Sequence, residues 1–491
     1  MELDLVLAPY DLWATYAHVL MLLKQKIIKR GVARKIMLAL HKIEWEVKAG
    51  SFKIDPNLGL HLTIEKKVIE KIGDDGYFMH TARSRNDQVA TAEMLYLREK
   101  ALSLLLKLLK LLKLLMEIAA NNIETVMPGY THMQPAKPTT FGQWCLSYFD
   151  MLMRVFDTLC YFYNKFDLCP LGAVESYGTS WPIDRNYSAK LLGFTNVWEI
   201  PQEAISSRGL VQLGYLSALK DFAIVMSKIA QDLILFNTFE YGMIGLGKDV
   251  ASQMDRVTGS SVMPQKANPD VLELIRSVAP QVIGAQSTVA NLLSGLPMGY
   301  NRDTREVKEY VENSFHKVSS GILSLIDVFA TLIVKKERML QLVYANYSLA
   351  TDLADYMAQK TGLAYRKIYR LVGVLVREKK NQNRILSDLT TKEIISEGKS
   401  LGLIFTITDR ELKQALDPFH AIEKRKHLGG SNPEIMKDTI KKRKLLWKKR
   451  EEWVNNQLVR IKMAKKLTVT EVNKYVVRFQ TTDTNTSLRG T

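Results

Sequence analysis

Residues 101–120 read ALSLLLKLLKLLKLLMEIAA, a leucine-rich run about as long as a membrane span. Lys107, Lys110 and Lys113 interrupt it at three-residue steps. On a helix those lysines form one polar stripe while leucines cover the rest, the pattern of a helix packed on most of its faces. Three lysines at the centre of a bilayer would be costly, so the run predicts a helix inside a protein core. The same three- and four-residue apolar spacing extends outward over 88–123, 139–166, 209–244, 269–294 and 306–342. With only 14 Pro and 27 Gly in 491 residues, little in the chain breaks such helices.

A chain of this length divides into roughly two to four domains. Its first eighty or so residues carry short amphipathic stretches, with turns at Gly31, Asp55-Pro56-Asn57 and Gly73-Asp74-Asp75-Gly76. After about residue 345 the helices shorten again, and turns fall at Leu416-Asp417-Pro418 and Gly429-Gly430-Ser431-Asn432-Pro433. The expected fold is mainly α: an N-terminal helical domain over 1–80, a long central helical bundle over 81–342, a C-terminal helical domain over 343–457, and a tail over 458–491 that is poorly ordered at its end. Strand signals are weak everywhere and there is no internal repeat.

A hydrophobic fraction of 47% with 24% charged residues is ordinary for a globular protein. Cys145, Cys160 and Cys169 form no CxxC pair, which argues against a zinc site and for a reducing compartment. The first ten residues contain acids and no basic segment, unlike a signal peptide; a cytoplasmic location follows. The net charge of +17 gathers partly at Lys437, Lys441, Lys442, Arg443, Lys444, Lys448, Lys449 and Arg450. That run reads as a solvated helix face rather than a nucleic-acid site, because no recognised nucleic-acid module surrounds it. A positive field also helps to capture an anionic substrate.

The unusual local sequences sit between the helices. The loop 259–269, GSSVMPQKANP, offers hydroxyls, the Lys266 amine and the Asn268 amide, with Glu273 in the helix that follows. Asn268-Pro269 has the form of an N-cap followed by proline at the first helical position, so a plain capped turn is the competing reading. In Gly129-Tyr130-Thr131-His132-Met133-Gln134-Pro135, a histidine beside a hydroxyl and a Gln-Pro break suits a positioned proton donor, or is structural. His80-Thr81-Ala82-Arg83-Ser84-Arg85-Asn86-Asp87-Gln88 gathers arginines and amides at a helix start, where carboxylates bind; the alternative is capping by Asn86 or Asp87. Tyr300-Asn301-Arg302-Asp303-Thr304-Arg305-Glu306-Val307-Lys308 spaces basic groups as on one helical face.

Together these segments resemble the fumarase/aspartase superfamily, and within it the argininosuccinate lyase branch, over about residues 7–457. The 80–91 segment is the most specific, although Ala82 stands where that family usually has Gly; Gly178-Thr179-Ser180-Trp181-Pro182-Ile183-Asp184-Arg185 and Met263-Pro264-Gln265-Lys266 point the same way. The resemblance implies a mainly helical homotetramer with a 20-helix core and active sites shared between subunits. It implies a carbon–nitrogen lyase that splits 2-(N-ω-L-arginino)succinate into fumarate and L-arginine, with no metal or organic cofactor and no nucleic-acid or membrane partner. Ser260 is the implied base, by motif position ahead of Ser261, with Lys266 and Asn268 as local stabilisers. His132, oriented by Glu273, is the implied acid or its relay. Ser84, Arg85, Asn86, Thr131, Tyr300, Arg305 and Lys308 stand at substrate-binding positions.

The chain departs from the family in three places. Gly59, in Leu58-Gly59-Leu60-His61, replaces an acidic residue, Arg305 replaces a usual Gln, and the family's Trp-Gly-Gly-Arg-Phe-type opening has no counterpart before Leu3. These departures fall at the amine end of the substrate. The alternatives are another fumarate-releasing lyase with a different aminosuccinate substrate, or a non-catalytic crystallin-like homologue.

Overall fold

In the computed structural model, which describes residues 2–247, 258–259, 262–263 and 266–476, the leucine-rich run lies inside the 37-residue helix Arg85–Asn121. Lys110 and Lys113 face solvent, Lys107 donates to Ser319, and Leu105, Leu108, Leu111, Leu112 and Leu115 are fully buried. The polar stripe is thus the one outward line of a helix surrounded by others. Around it stand Phe141–Lys165, Leu210–Asn237, Asp270–Leu293 and Val307–Ala330, each packed on its neighbours to make the expected long bundle. Among the described residues one helix, Leu210–Asn237, is long and apolar enough to cross a membrane. It packs against Phe141–Lys165, Asp270–Leu293 and Val307–Ala330 within the bundle.

Two of the expected helices are shorter than their apolar spacing suggests. The 209–244 stretch ends at Asn237 and turns through Gly242, at φ +58°. The 306–342 stretch breaks after Ala330, where Ile333–Val334 pairs with Ile244–Gly245, and resumes as Lys336–Ala345. Helix-like spacing persists through both breaks because a buried segment needs apolar residues whatever its backbone does.

The weak strand signal misleads most clearly at 126–140, where Val126–Thr131 and Gln134–Thr140 form an antiparallel hairpin. Pro128, Pro135 and Pro138 hide it in the sequence, because proline removes ladder donors. Pro128 faces Pro138 across the hairpin and the register shifts between Pro128 and Tyr130. Two prolines opposite each other need no donor if they form a non-hydrogen-bonded pair.

Among the described residues the buried apolar side chains form two clusters. One joins the first eighty residues, the bundle and the last helix, Pro433–Val476; the other gathers residues of 343–422 around Val126. The last helix runs without a break past 457, where the sequence pattern suggests a tail; residues 477–491 lie outside the described part. Its basic run is partly internal. Arg443 pairs with Asp150 at 2.7 Å, Arg450 with Asp157 at 2.6 Å and Arg460 with Asp167 at 2.6 Å. The first two pairs share one sequence offset, so the last helix runs parallel to Phe141–Lys165 and in register with it. Lys441, Lys444, Lys448 and Lys449 stay exposed.

Candidate active site

The start of the Arg85–Asn121 helix is fixed by a capping box. The Ser84 hydroxyl accepts from the Asn86 amide at 3.2 Å, and Asp87 Oδ1 accepts from the Ser84 amide at 3.0 Å. Ser84 is therefore the cap, in place of Asn86 or Asp87, and its side chain is occupied with the helix end. Asp87 Oδ2 accepts from the Gly172 and Val174 amides at 2.8 and 3.0 Å, tying the 172–174 loop to the helix start. Burial pushes the Asp87 carboxyl up to about 6, against the pull of those amides and of Arg83. Ala82 precedes the cap at φ +57°, a left-handed backbone that glycine adopts at lower cost.

This cap aims Arg85 and Asn86 into a cleft of about 290 Å³ at the positive end of a long helix. Tyr300, Arg305 and Lys308 line the same cleft, more than two hundred residues away in sequence. The structure thus brings together five of the residues picked out by sequence. Asn86 Nδ2 donates to the Glu175 carbonyl at 3.2 Å.

Sequence reading missed the groups beneath. Glu93 is 6% exposed and stands two helical turns after Asn86, on the same face. Arg208 Nη2 lies 3.5 Å from both of its carboxylate oxygens, Gln212 Nε2 donates to it at 3.2 Å, and Lys308 Nζ is 3.3 Å away. Burial alone would raise the Glu93 carboxyl, but Arg208 and Lys308 outweigh it and hold the carboxyl below its ordinary range. Lys308 also reaches Asp4 at 3.1 Å. The Arg208 guanidinium lies 5.2 Å from the centre of the Tyr300 ring. Gly209, at φ +87°, lets the chain pass Leu293, where a Cβ would come within 2.4 Å of Cδ2.

A second buried pair supports the wall. His61 Nδ1 is 3.0 Å from Asp11 Oδ1, and Gln88 Nε2 donates to the same oxygen at 2.8 Å. Asp11 is fully buried, which would raise its carboxyl; His61 and Arg83 more than reverse that. One legible signal existed for Glu93, a carboxylate seven residues after Asn86 and set within the otherwise uncharged stretch 88–97. Asp4, Asp11 and Arg208 come from other segments and carried none.

The remaining candidates lie elsewhere. Thr131 and His132 are exposed at the hairpin tip, with His132 and Met133 at φ +53° and +59°. The hairpin packs on Lys336–Ala345, and Tyr130 meets Tyr241 with ring centres 5.5 Å apart. Lys266 and Glu273 are exposed. Asn268 pairs with Thr258 in a short ladder and does not cap the next helix; Pro269 occupies the cap position, without a side-chain bond. Ser260 and Ser261 fall outside the described residues.

Within one chain Thr131, His132 and Glu273 do not meet the cleft. The Arg85–Asn121 helix is about 54 Å long at 1.5 Å per residue. The ten residues from Asn121 to Thr131 can return at most about 36 Å of that. Glu273 is likewise about 30 Å along its helix from Leu293, the end that touches Gly209 beside the cleft.

A family model described as lyase matches residues 8–284. An argininosuccinate lyase of Bacillus cereus is 36% identical over 446 residues, 91% of this chain and 93% of its own. One of Bacillus thuringiensis is 37% identical over 443 residues, 90% and 92%. The chain belongs to the argininosuccinate lyase family. A model described as argininosuccinate lyase C-terminal matches residues 347–423, so the family's C-terminal segment coincides with the second core cluster. A crystal structure of EDDS lyase in complex with formate superposes with a TM-score of 0.89 at 26% identity, covering 97% of this chain and 93% of that one. The 3-carboxy-cis,cis-muconate lactonizing enzyme from Pseudomonas putida shares the fold at a TM-score of 0.69 and 17% identity, covering 90% and 94%. The family's helical fold is therefore the fold of this chain.

Proposed function

We propose that this chain cleaves 2-(N-ω-L-arginino)succinate by β-elimination into fumarate and L-arginine, the last step of arginine biosynthesis. The observation that carries the reading is the identity to argininosuccinate lyases over nine-tenths of the chain. The cleft adds physical sense to it. The reaction removes a proton next to a carboxylate, so negative charge builds on that carboxylate as the C–N bond breaks. Arg85 at a helix N-terminus, Asn86 and Lys308 are preorganised donors for such charge.

Ser260 is the proposed base. A free serine is a weak base, and a positive surrounding lowers the cost of its alkoxide; Lys266 and Asn268 are the nearby polar groups in sequence. His132, oriented by Glu273, delivers the proton to the leaving guanidine, while Thr131 holds a substrate carboxylate. Because the hairpin and the cleft lie at opposite ends of one chain, His132 serves the cleft of another copy in a homotetramer with a 20-helix core. Exposed apolar residues along three bundle helices support that assembly: Ile224, Leu274, Ile283 and Leu323, of which Leu274 is 68% exposed. The reaction requires no metal or organic cofactor and no nucleic-acid or membrane partner, and the three unpaired cysteines are in keeping with the cytoplasm.

The test is fumarate release from argininosuccinate by the purified protein, followed by its ultraviolet absorbance. Turnover is expected, and Ser260→Ala abolishes it. Full turnover by a folded Ser260→Ala assembly removes Ser260 from the mechanism, and no turnover by the unaltered protein removes the function.

A further inference from the structure

The hairpin that carries Thr131 and His132 is held unevenly. Its first strand is shared between the two buried clusters, Met127 going to one and Val126 to the other. Its second strand is buried at Thr140 and Pro138, and from Lys137 back to Gln134 it is mostly exposed. Pro138 is thus the last buried point of that strand before the turn with His132. Its neighbour across the hairpin is Pro128, which has no N–H to give.

The Pro138 carbonyl takes its hydrogen bond from far away in sequence. Arg425 Nη1 donates to it, while Arg425 Nη2 donates to Asp352 Oδ1 and Oδ2 at 2.9 and 3.2 Å. The Arg425 and Asp352 side chains are 18% and 13% exposed, so water screens the pair only partly. Asp352 precedes Leu353 and Ala354, and Arg425 follows Ala421 and Ile422, all four buried in the second cluster. A planar guanidinium that holds a carboxylate and a carbonyl at once fixes the two relative to each other, which a flexible ammonium does not do. A second link, Lys137 to Asp355 at 2.7 Å, joins two exposed side chains and adds little. All of these contacts lie within one chain.

His132 stands six residues from Pro138 in sequence, up to about 20 Å away at about 3.3 Å per residue. A tilt of about 3° at Pro138 moves such a tip by about 1 Å, and a misplacement of that size costs about 10²-fold in rate. We infer that Arg425, braced by Asp352, is a positioning residue for the elimination: through the Pro138 carbonyl it sets where His132 stands, so the C-terminal core governs the proton transfer from a distance. The inference rests on the reading of His132 as the proton donor and deepens it.

The experiment is a double-mutant cycle on the purified full-length enzyme, with argininosuccinate as substrate and fumarate as readout. It compares kcat, because Thr131 rides on the same hairpin and its displacement appears in KM. Arg425→Met is expected to lower kcat by about 100-fold, yet to leave the residual kcat of His132→Asn unchanged, since a donor already removed cannot be misplaced. Arg425→Lys keeps the charge and a donor and should fall between the two. Asp352→Asn keeps an acceptor for Arg425 and serves if Arg425→Met does not fold; its loss should be smaller and again depend on His132. Equal losses in the two backgrounds, or no loss in either, overturn the inference while the lyase reading stands. If His132→Asn keeps full turnover, the reading of His132 falls and the inference with it, and if the unaltered enzyme releases no fumarate, the lyase reading falls as well.

Discussion

Where the Arg85–Asn121 helix begins, Glu93 is buried against Arg208, Gln212 and Lys308, and Asp87 ties a distant loop to the helix cap. Where the same helix stops, Thr131 and His132 stand exposed on a hairpin turn with left-handed backbone. The first end is assembled within one chain: its donors are aimed by burial and by bonds between segments far apart in sequence. At the second end the candidate side chains face solvent. The difference teaches that a fold can preorganise one cluster of candidate groups by burial while leaving another, beyond the same helix's far end, exposed to solvent.

The largest expected effect breaks the hairpin end. His132→Asn should cut kcat by roughly 10²–10⁴, the range for a general acid–base group, with the unfolding midpoint unchanged because the side chain is exposed. The contrast between ends is sharpened by mixing. Assemblies of His132→Asn subunits with Lys308→Met subunits should regain activity that neither has alone, since some sites then combine an intact hairpin with an intact cleft. No recovery on mixing, measured as fumarate release after co-refolding, would mean that the two ends do not act together.

The cleft end should respond in stability as well as rate. Glu93→Leu leaves Arg208 without its carboxylate and Lys308 with Asp4 alone. Breaking one partner of a buried pair costs about 3–5 kcal/mol, read as a lower urea midpoint alongside a fall in kcat/KM. An unchanged midpoint would show that the pair is not what holds this wall.

A smaller effect depends on pH. The Asp87 carboxyl is raised from the ordinary 3.8 to about 6 in the fold. Its contribution to stability is therefore fully present below about 3.8 and is lost as pH rises through 6, because the unfolded chain ionises first. The urea midpoint of the protein should fall relative to that of Asp87→Asn between those two values and run parallel above them. A constant difference across the window would count against the raised carboxyl.

The smallest changes concern left-handed residues, of which each end has one beside its candidate groups. Ala82→Gly and Met133→Gly should each stabilise the protein by about 1 kcal/mol, since the native φ values are +57° and +59°. Differential scanning calorimetry would show this as a modest rise in Tm. A loss of stability at either position would mean that contacts of the side chain outweigh backbone strain there.

Much of the architecture was readable because period carries burial. The lysine stripe at 107, 110 and 113 marked the outer line of the central helix before any packing was known. The spacing failed near Gly242 and after Ala330, where buried apolar residues continue through a change of backbone. It failed again at 126–140, where prolines disguise a hairpin whose facing pair needs no donors. At the site, Arg85, Asn86, Tyr300, Arg305 and Lys308 stood out by charge and by their place beside helix starts. Glu93, Arg208 and Asp11 did not, because a buried ion pair looks in sequence like any surface charge until its partner is known.

The sequence by itself determined that the chain is helical, which loops carry polar chemistry and which family it joins. Those properties depend on local period and on residue identity. Only the tertiary structure decided which loops share a cleft, that Gly59 lies against Arg85, and that His132 sits at the far end of a helix about 54 Å long. Proximity between residues hundreds apart, and the electrostatics that follow from it, arise from packing; no window of sequence contains them.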